Sequence, residues 1–377
     1  DEYCNKLQEI SAYFPLYNVQ YGPKSVLETK FLEINTHDYI ASITQNQKLR
    51  NVLAGTNALY AGVAEKTPLY VHALVINTYI ESAWKCIDGG AQIATLLAHS
   101  IKAMGGEIRN YTEVVKFNFS GDSIQDAELK SGERIEAKNF ISNAHPANTL
   151  DLLEPGKIRK SFVNRIQSLE NSMSVFIVHI VFNHESFPYL NQNYYHHKNA
   201  DVWSSINYNE ASWPESYAVF TPPTSRSPHF SENMSVMAYM RYDDVKQWEN
   251  TFNTIPRHIN DRGNGYEEFK RIKAEKLIDE LELKFPGIRS KIKSYTTSTP
   301  LSYRDYIGTK DGSMYGIVKD HNDPLKTFIS AKTKVPNLYL TGQNLNMHGV
   351  LGVTIGSVVT CSEIVGMEYL VKKIKEA

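Results

Sequence analysis

The residues whose types and spacing could do chemistry cluster near the C-terminus. Gly342-Gln343-Asn344 follows the run Asn337-Leu338-Tyr339-Leu340-Thr341, and Gly349-Val350-Leu351-Gly352-Val353-Thr354-Ile355-Gly356 comes next. The first run is apolar, β-prone and stopped by a glycine, which predicts a short strand. The second opens a helix predicted to run to Ile374. Gly349, Gly352 and Gly356 keep side chains off its first turns. Free N–H groups there could be approached closely, and the positive end of the helix dipole favours an anionic or electron-rich group. The same glycines also suit a core helix packed tightly on its neighbours. Val353, Val358, Val359, Ile364, Val365, Leu370 and Val371 predict burial on most sides. The pattern alone leaves both readings open.

Other chemistries find little support. The sequence has no G-x-S-x-G elbow, no H-E-x-x-H and no Walker lysine loop. It has no G-x-G-x-x-G, and Gly263-Asn264-Gly265 lacks the third glycine. His179, His184, His196 and His197 are the densest histidine group and read as surface or satisfied core positions. Cys4, Cys86 and Cys361 are scattered, so no disulfide framework and no metal site is expected. A net charge of −1 gives no electrostatic case for nucleic acid. No apolar run reaches the ~18 residues of a membrane span. A cytoplasmic protein is expected, with peripheral membrane contact left open.

The chain of 377 residues predicts more than one domain. Residues 1–87 read as helical and loop-rich, with one helix from Thr36 to Leu53 and another from Pro68 to Trp84. Residues 88–146 read as helix, strand, strand, hairpin, strand. The helix runs from Ile93 to Met104, and the strands are Glu107–Arg109, Val114–Phe119, Ile124–Leu129 with Arg134–Ala137, and Phe140–Ala144. Residues 147–299 read as antiparallel strands (Met173–Phe182, Trp203–Tyr208, Tyr217–Thr221, Ser235–Arg241, Lys291–Thr299) and one long helix, Tyr266–Phe285. Residues 300–377 begin as loop over Leu301–Ile329 and end in the strand and glycine-led helix. The fold class is therefore α/β plus α+β.

Three blocks carry a resemblance. They are Asp88-Gly89-Gly90 through Gly105-Gly106-Glu107-Ile108 to Ile141-Ser142-Asn143-Ala144-His145-Pro146; Ser298-Thr299-Pro300 to Tyr306 with Asp311-Gly312-Ser313-Met314-Tyr315-Gly316; and Tyr339 to Val353. In this order they resemble FAD-dependent oxidoreductases of the phytoene desaturase, carotenoid isomerase and retinol saturase group, within the amine-oxidase-like flavoprotein superfamily. Phe14-Pro15-Leu16-Tyr17 and His72 to Ser82 are similar to the retinol-saturase-like branch. The resemblance implies a FAD-binding domain of the GR2 type with an inserted antiparallel-sheet substrate domain. It implies Val114 near the adenine, Asn143 and Ala144 near the nucleotide, and Gly342, Gln343 and Asn344 along the pyrophosphate and ribityl chain. Gly349, Val350, Leu351, Gly352 and Val353 would face the flavin ring. Tyr303, Tyr306, Met347 and His348 would line the pocket of an apolar polyene or isoprenoid substrate. No catalytic acid or base is implied.

The family opens with a βαβ unit carrying a glycine fingerprint, and nothing here supplies it. The FAD-binding domain is therefore expected to be incomplete and the chain to be part of a longer protein. Weak or absent FAD binding, an inactive chain, and a homodimer or rearrangement covering the exposed sheet are expected. Two alternatives stand beside the carbon–carbon double-bond oxidoreductase: an amine-oxidase-like flavoprotein, and a cofactor-free lipid-binding fragment.

Overall fold

The nine-residue strand β5, Ser174–Phe182, is the centre of the largest layer. Val175, Phe176, Val178 and Ile180 on it are almost wholly buried. One face, Ser174, Phe176, Val178, Ile180 and Phe182, is buried throughout, whereas the other opens from buried Val175 to Val181, which is 40% exposed. The computed structural model describes residues 1–20, 30–252 and 262–377.

The N-terminal part is helical: α1 Glu2–Ala12, α2 Thr36–Ile43, α3 Gln47–Ala54, α4 Leu69–Glu81 and α5 Ala91–Ala103. A three-stranded antiparallel meander follows, β1 Val114–Ser120, β2 Ser123–Leu129 and β3 Arg134–Glu136, and then β4 Phe140–Ser142. Two short helices, α6 Pro146–Asp151 and α7 Lys160–Gln167, lead into β5. Next come β6 Tyr194–His197, β7 Ser216–Phe220, β8 Asn233–Met240, the long helix α8 Asn264–Lys284, β9 Ile292–Ser298 and α9 Pro300–Ile307. The chain closes with β10 Leu338–Leu340, α10 Gly349–Val365 and α11 Met367–Glu376.

The large sheet is antiparallel throughout, in the order β6-β7-β8-β5-β9. Ala274, Leu277 and Leu281 of α8 pack into the same apolar cluster as Phe176, Val178 and Trp213. A second core joins the meander to the parallel pair β4–β10, through Phe117, Ile124, Phe140, Leu338 and Leu340. A third lies among the N-terminal helices, where Leu7, Ile10, Leu69 and Leu74 meet Met347 from the far end of the chain.

Several expectations are corrected. The helix expected over Thr36–Leu53 is two helices. Asn35 caps the first by accepting from Asp38 N, and Asn46 starts the second by accepting from Leu49 N. A short polar side chain that satisfies orphan N–H groups restarts a helix wherever it sits. Glu107–Arg109 forms no strand, because no described strand lies beside it to complete a ladder; Arg109 instead reaches Glu107 and Glu133. Val202–Ile206 is a 3-10 helix capped by Asp201, not part of a strand, and β6 supplies the edge of the large sheet. Pro300–Ile307 is a helix with a Thr299–Ser302 capping box, where loop was expected. The final helix breaks at Gly366, whose φ is +89°. It is also less buried than its composition predicts: Val350 and Leu351 are exposed. Leu96, Leu97 and Met104 of α5 are likewise exposed.

Phe176 is fully enclosed, so Phe176→Ala should cost about 3–5 kcal/mol of unfolding free energy, read from the urea midpoint. A loss below about 1 kcal/mol would show that this layer collapses around the void.

Candidate functional site

The site grows from the shared ends of the parallel pair. Leu338, Tyr339 and Leu340 run beside Phe140, Ile141 and Ser142, and the ladder continues as Thr341 N donates to Ser142 O at 2.9 Å. Asn337 fixes the start of the strand: its side chain accepts from Ile124 N at 2.9 Å and donates to Ile124 O at 2.8 Å. Both strands then turn out together. Gly342 has φ +96°, and a Cβ there would lie 2.0 Å from Asn143 Oδ1. Glycine is thus required twice over, by backbone conformation and by space. The contact brings Asn143 to Gly342 at the ends of the pair. Ala144 follows in chain, its N–H donating to Ser142 Oγ at 3.3 Å. Asn344 is buried and accepts from Ile317 N at 3.1 Å, against Gly316 with φ +72°.

Above these ends starts α10. Gly349 has φ +76° and open space where a side chain would project. Gly352 is buried so tightly that a Cβ would sit 2.7 Å from the Met347 backbone. Thr360 Oγ1 donates to Leu340 O at 2.9 Å and so locks the helix onto β10. With Val350 and Leu351 exposed, the helix start is bare on one side, and its free N–H groups and dipole face outward. Val353 is half-buried one turn in. Val114 lies at the start of β1, packed against the second core rather than at the strand ends.

The electrostatics around His348 are unusual. Its ring stacks on Tyr315 at 4.0 Å, and its Nε2 is shielded from solvent with no hydrogen-bond partner among the described residues. Lys319 donates to Thr327 O (3.1 Å), Asn344 O (3.2 Å) and Leu345 O (3.0 Å). Burial draws the Lys319 ammonium down to about 8. Burial, helped by nearby Lys319, draws His348 down to about 4. Both line a small cavity of ≈30 Å³ with Tyr60, Thr67, Gln343 and Met347. A larger cavity of ≈650 Å³ lies where α1, α3 and α4 approach the loop before β6, walled by Leu53, Leu59, Ile76, Trp84 and Tyr195. Tyr303 is half-buried against the large-sheet core, whereas Tyr306 is 64% exposed and lines neither cavity. Sequence reasoning missed Lys319 and the large cavity. A lysine in a polar loop carries no periodic signal, and the cavity is assembled from segments far apart in sequence.

Among the described residues no group of three or more histidine, cysteine or acidic side chains could hold a metal, and no helix is long and apolar enough to cross a membrane.

No family model matches the chain. The all-trans-retinol 13,14-reductase of Danio rerio is 24% identical over 354 residues, covering 87% of this chain and 57% of that protein. The chloroplastic prolycopene isomerase of Daucus carota is 22% identical over 281 residues, covering 74% of the chain and 43% of that protein. The chain is related to the retinol-reductase and carotenoid-isomerase group. It spans little more than half the length of the retinol reductase. The fold is shared with an oxidoreductase from Methanosarcina mazei (TM-score 0.54, 14% identity, 99% of this chain and 73% of that one). It is also shared with a putrescine oxidase bound to putrescine (TM-score 0.56, 11% identity, all of this chain and 76% of that one). The mixed helix-and-sheet architecture is that of these oxidoreductases.

His348 stays neutral in the folded protein down to about pH 4, whereas in the unfolded chain it takes up a proton near the ordinary value of about 6.5. The unfolded state therefore binds more protons between those values, and stability falls as pH drops through that window. His348→Phe keeps an aromatic ring on Tyr315 and removes the titration. Its urea midpoint should fall less between about pH 7 and pH 4.5 than that of the unsubstituted protein. Parallel pH dependences would show that His348 is not held neutral.

Proposed function

We propose that the chain belongs to a FAD-dependent oxidoreductase acting on carbon–carbon double bonds of an apolar polyene or isoprenoid. The observation that carries this is the open backbone at Gly349, where α10 starts above the ends of a parallel strand pair, in a chain matching retinol reductases along most of its length. Ligands of α/β proteins bind outside the carboxyl ends of parallel strands. Gly349 has open space where a side chain would project, which leaves a flat group access to the backbone there; Gly342 and Gly352 instead let that backbone pack closely onto Asn143 and Met347.

In this reading residues 88–146 and 300–377 form part of a FAD-binding domain of the GR2 type. Residues 147–299 are its inserted substrate domain, and 1–87 a helical substrate-side segment. Asn143, Ala144, Gly342, Gln343 and Asn344 hold the dinucleotide, with Val114 on the adenine side. Gly349 to Val353 present N–H groups that stabilise negative charge on a reduced flavin. FAD, when bound, supplies the hydride chemistry; the protein's own residues bind, orient and exclude water. The ≈650 Å³ cavity takes the apolar substrate: its volume is that of a small-molecule site, and aliphatic and aromatic walls meet a polar rim at Lys85, Asn191, Gln192 and Asn193. Met347 and His348 line the separate small cavity on the flavin side, with Tyr303 and Tyr306 on α9. Trp84, Tyr79 and Ile80, exposed beside the cavity, would give a peripheral contact with membranes of a cytoplasmic protein. The exposed apolar residues of α5 and α10 would be covered by a second copy.

FAD titration, followed by quenching of flavin fluorescence, tests the cofactor. Weak binding is expected, and Gly342→Ala should weaken it by about tenfold or more, about 1.4 kcal/mol, because the turn must move off Asn143 to admit a Cβ. Superimposable curves for the two proteins would sink the assignment. For the substrate, Ile76→Trp should fill the large cavity and abolish retinoid binding read by quenching of protein fluorescence. Undiminished binding would move the substrate elsewhere. Retinoid binding without any flavin binding would favour the cofactor-free lipid-binding alternative. Oxidation of a primary amine in preference to a polyene would favour the amine-oxidase-like one.

A further inference from the structure

Three side chains of the N-terminal helices form a hydrogen-bonded chain that the cofactor site does not use. His72, on α4, is 0% exposed. Tyr3 Oη, from α1, lies 2.6 Å from its Nε2, and Tyr60 Oη lies 2.8 Å from its Nδ1. Both phenol rings meet the imidazole edge-on, at 5.8 and 5.6 Å between centroids. A neutral imidazole donates from one nitrogen and accepts at the other, so one phenol accepts and the other donates. Burial keeps the ring neutral, drawing His72 down to about 3, and pushes both phenols up. The chain therefore holds no charge. What it can do is take a proton at one end and release one at the other while the imidazole exchanges tautomers.

Its two ends lie at different places. Tyr3 is half-buried beside exposed Cys4 and lines the ≈650 Å³ cavity. Tyr60 lines the ≈30 Å³ cavity together with Lys319 and His348. That volume is room for one or two waters. His348 Nε2, shielded and without a protein partner, is the polar group such a water would satisfy.

We propose that Tyr3, His72 and Tyr60 are a proton relay joining the large cavity to the small polar cavity beside His348 at the start of α10. The use of the proton rests on the function proposed above. Saturating a carbon–carbon double bond adds a hydride, from reduced flavin, to one carbon and a proton to its neighbour. Desaturating removes the same pair. In either direction one proton crosses between the substrate cavity and a water of the small cavity in each turnover. The relay supplies that crossing without burying a charge, which a low-dielectric interior penalises.

The test uses the full chain labelled with 15N-histidine, with His72 assigned by the loss of its signals in His72→Gln. In the unsubstituted protein the two His72 ring nitrogens should show tautomer-averaged shifts, and the ring N–H should exchange rapidly with water. A single locked tautomer would overturn the proposal. Tyr3→Phe should slow that exchange on the order of 10²-fold by removing the proton-transferring group that faces the large cavity, where solvent enters in the absence of substrate. Tyr60→Phe, which removes the partner at the other ring nitrogen, should leave a single tautomer and slow the exchange as well. A merely structural triad predicts the opposite sign, because losing a buried hydrogen bond loosens the packing and speeds exchange. Unchanged or faster exchange in Tyr3→Phe would therefore overturn the relay. None of these readouts requires flavin. A protein that exchanges as expected yet binds no FAD loses the proposed function and keeps the relay. One that binds FAD with a locked His72 keeps the function and loses the relay.

Discussion

One buried hydroxyl sets the geometry of the candidate site. Thr360 donates to the carbonyl of Leu340 at 2.9 Å and also to Gly356 O at 2.9 Å. The first bond clamps α10 onto the last residue of β10, and the second keeps the hydroxyl within its own helix. Nearby, Gly352 lets α10 pack on the Met347 backbone and Gly342 lets the turn pack on Asn143, where a Cβ would collide. The parallel pair, the turn at Gly342 and the start of α10 form one rigid unit whose free backbone faces a common space. Met347, buried among the N-terminal helices, then fixes this unit against α1 and α4. The position of the glycine-led helix relative to the large cavity follows from that contact.

Much of the fold was legible where one physical signal dominated. The long apolar run of β5 could only be a buried strand, and the Pro286-Gly287 stop after α8 could only end a helix. The failures have specific causes. Asn46 broke a helix whose apolar spacing ran on through it, because side-chain capping competes with periodicity at a single residue. Trp203 looked β-prone, yet it is buried with Ile40, Ala54 and Val202, where a 3-10 turn fits. β6, Tyr194-Tyr195-His196-His197, has no apolar alternation and sits at the sheet edge, so nothing in its composition marked it.

The candidate site was legible in type and not in partnership. The glycines stood out, but the collision that makes Gly342 obligatory comes from Asn143, almost two hundred residues earlier in the chain. His72 stood out only as the start of a stretch similar to the retinol-saturase-like branch. That both its nitrogens are bonded by tyrosines from α1 and from the turn before α4 is a fact of tertiary packing. Helices α5 and α10 show the converse. Their apolar composition predicts burial, and the exposure of Leu96, Leu97 and Val350 reflects what lies beside them, which no local pattern encodes.

The strand order of the large sheet has a consequence for how the protein is made. β5 is flanked by β8 on one side and by β9 on the other, and β9 comes after α8, late in the chain. A chain emerging from the ribosome N-terminus first has β5 available long before β9. During that interval one edge of its most apolar strand carries unpaired N–H and C=O groups, a template for pairing with the same strand of a neighbouring nascent chain. Val181, already 40% exposed in the finished sheet, is part of that edge. Slow synthesis through α8 would therefore lengthen the aggregation-exposed interval, and recovery of soluble protein should depend on elongation speed between β8 and β9 more than on the stability of the completed fold.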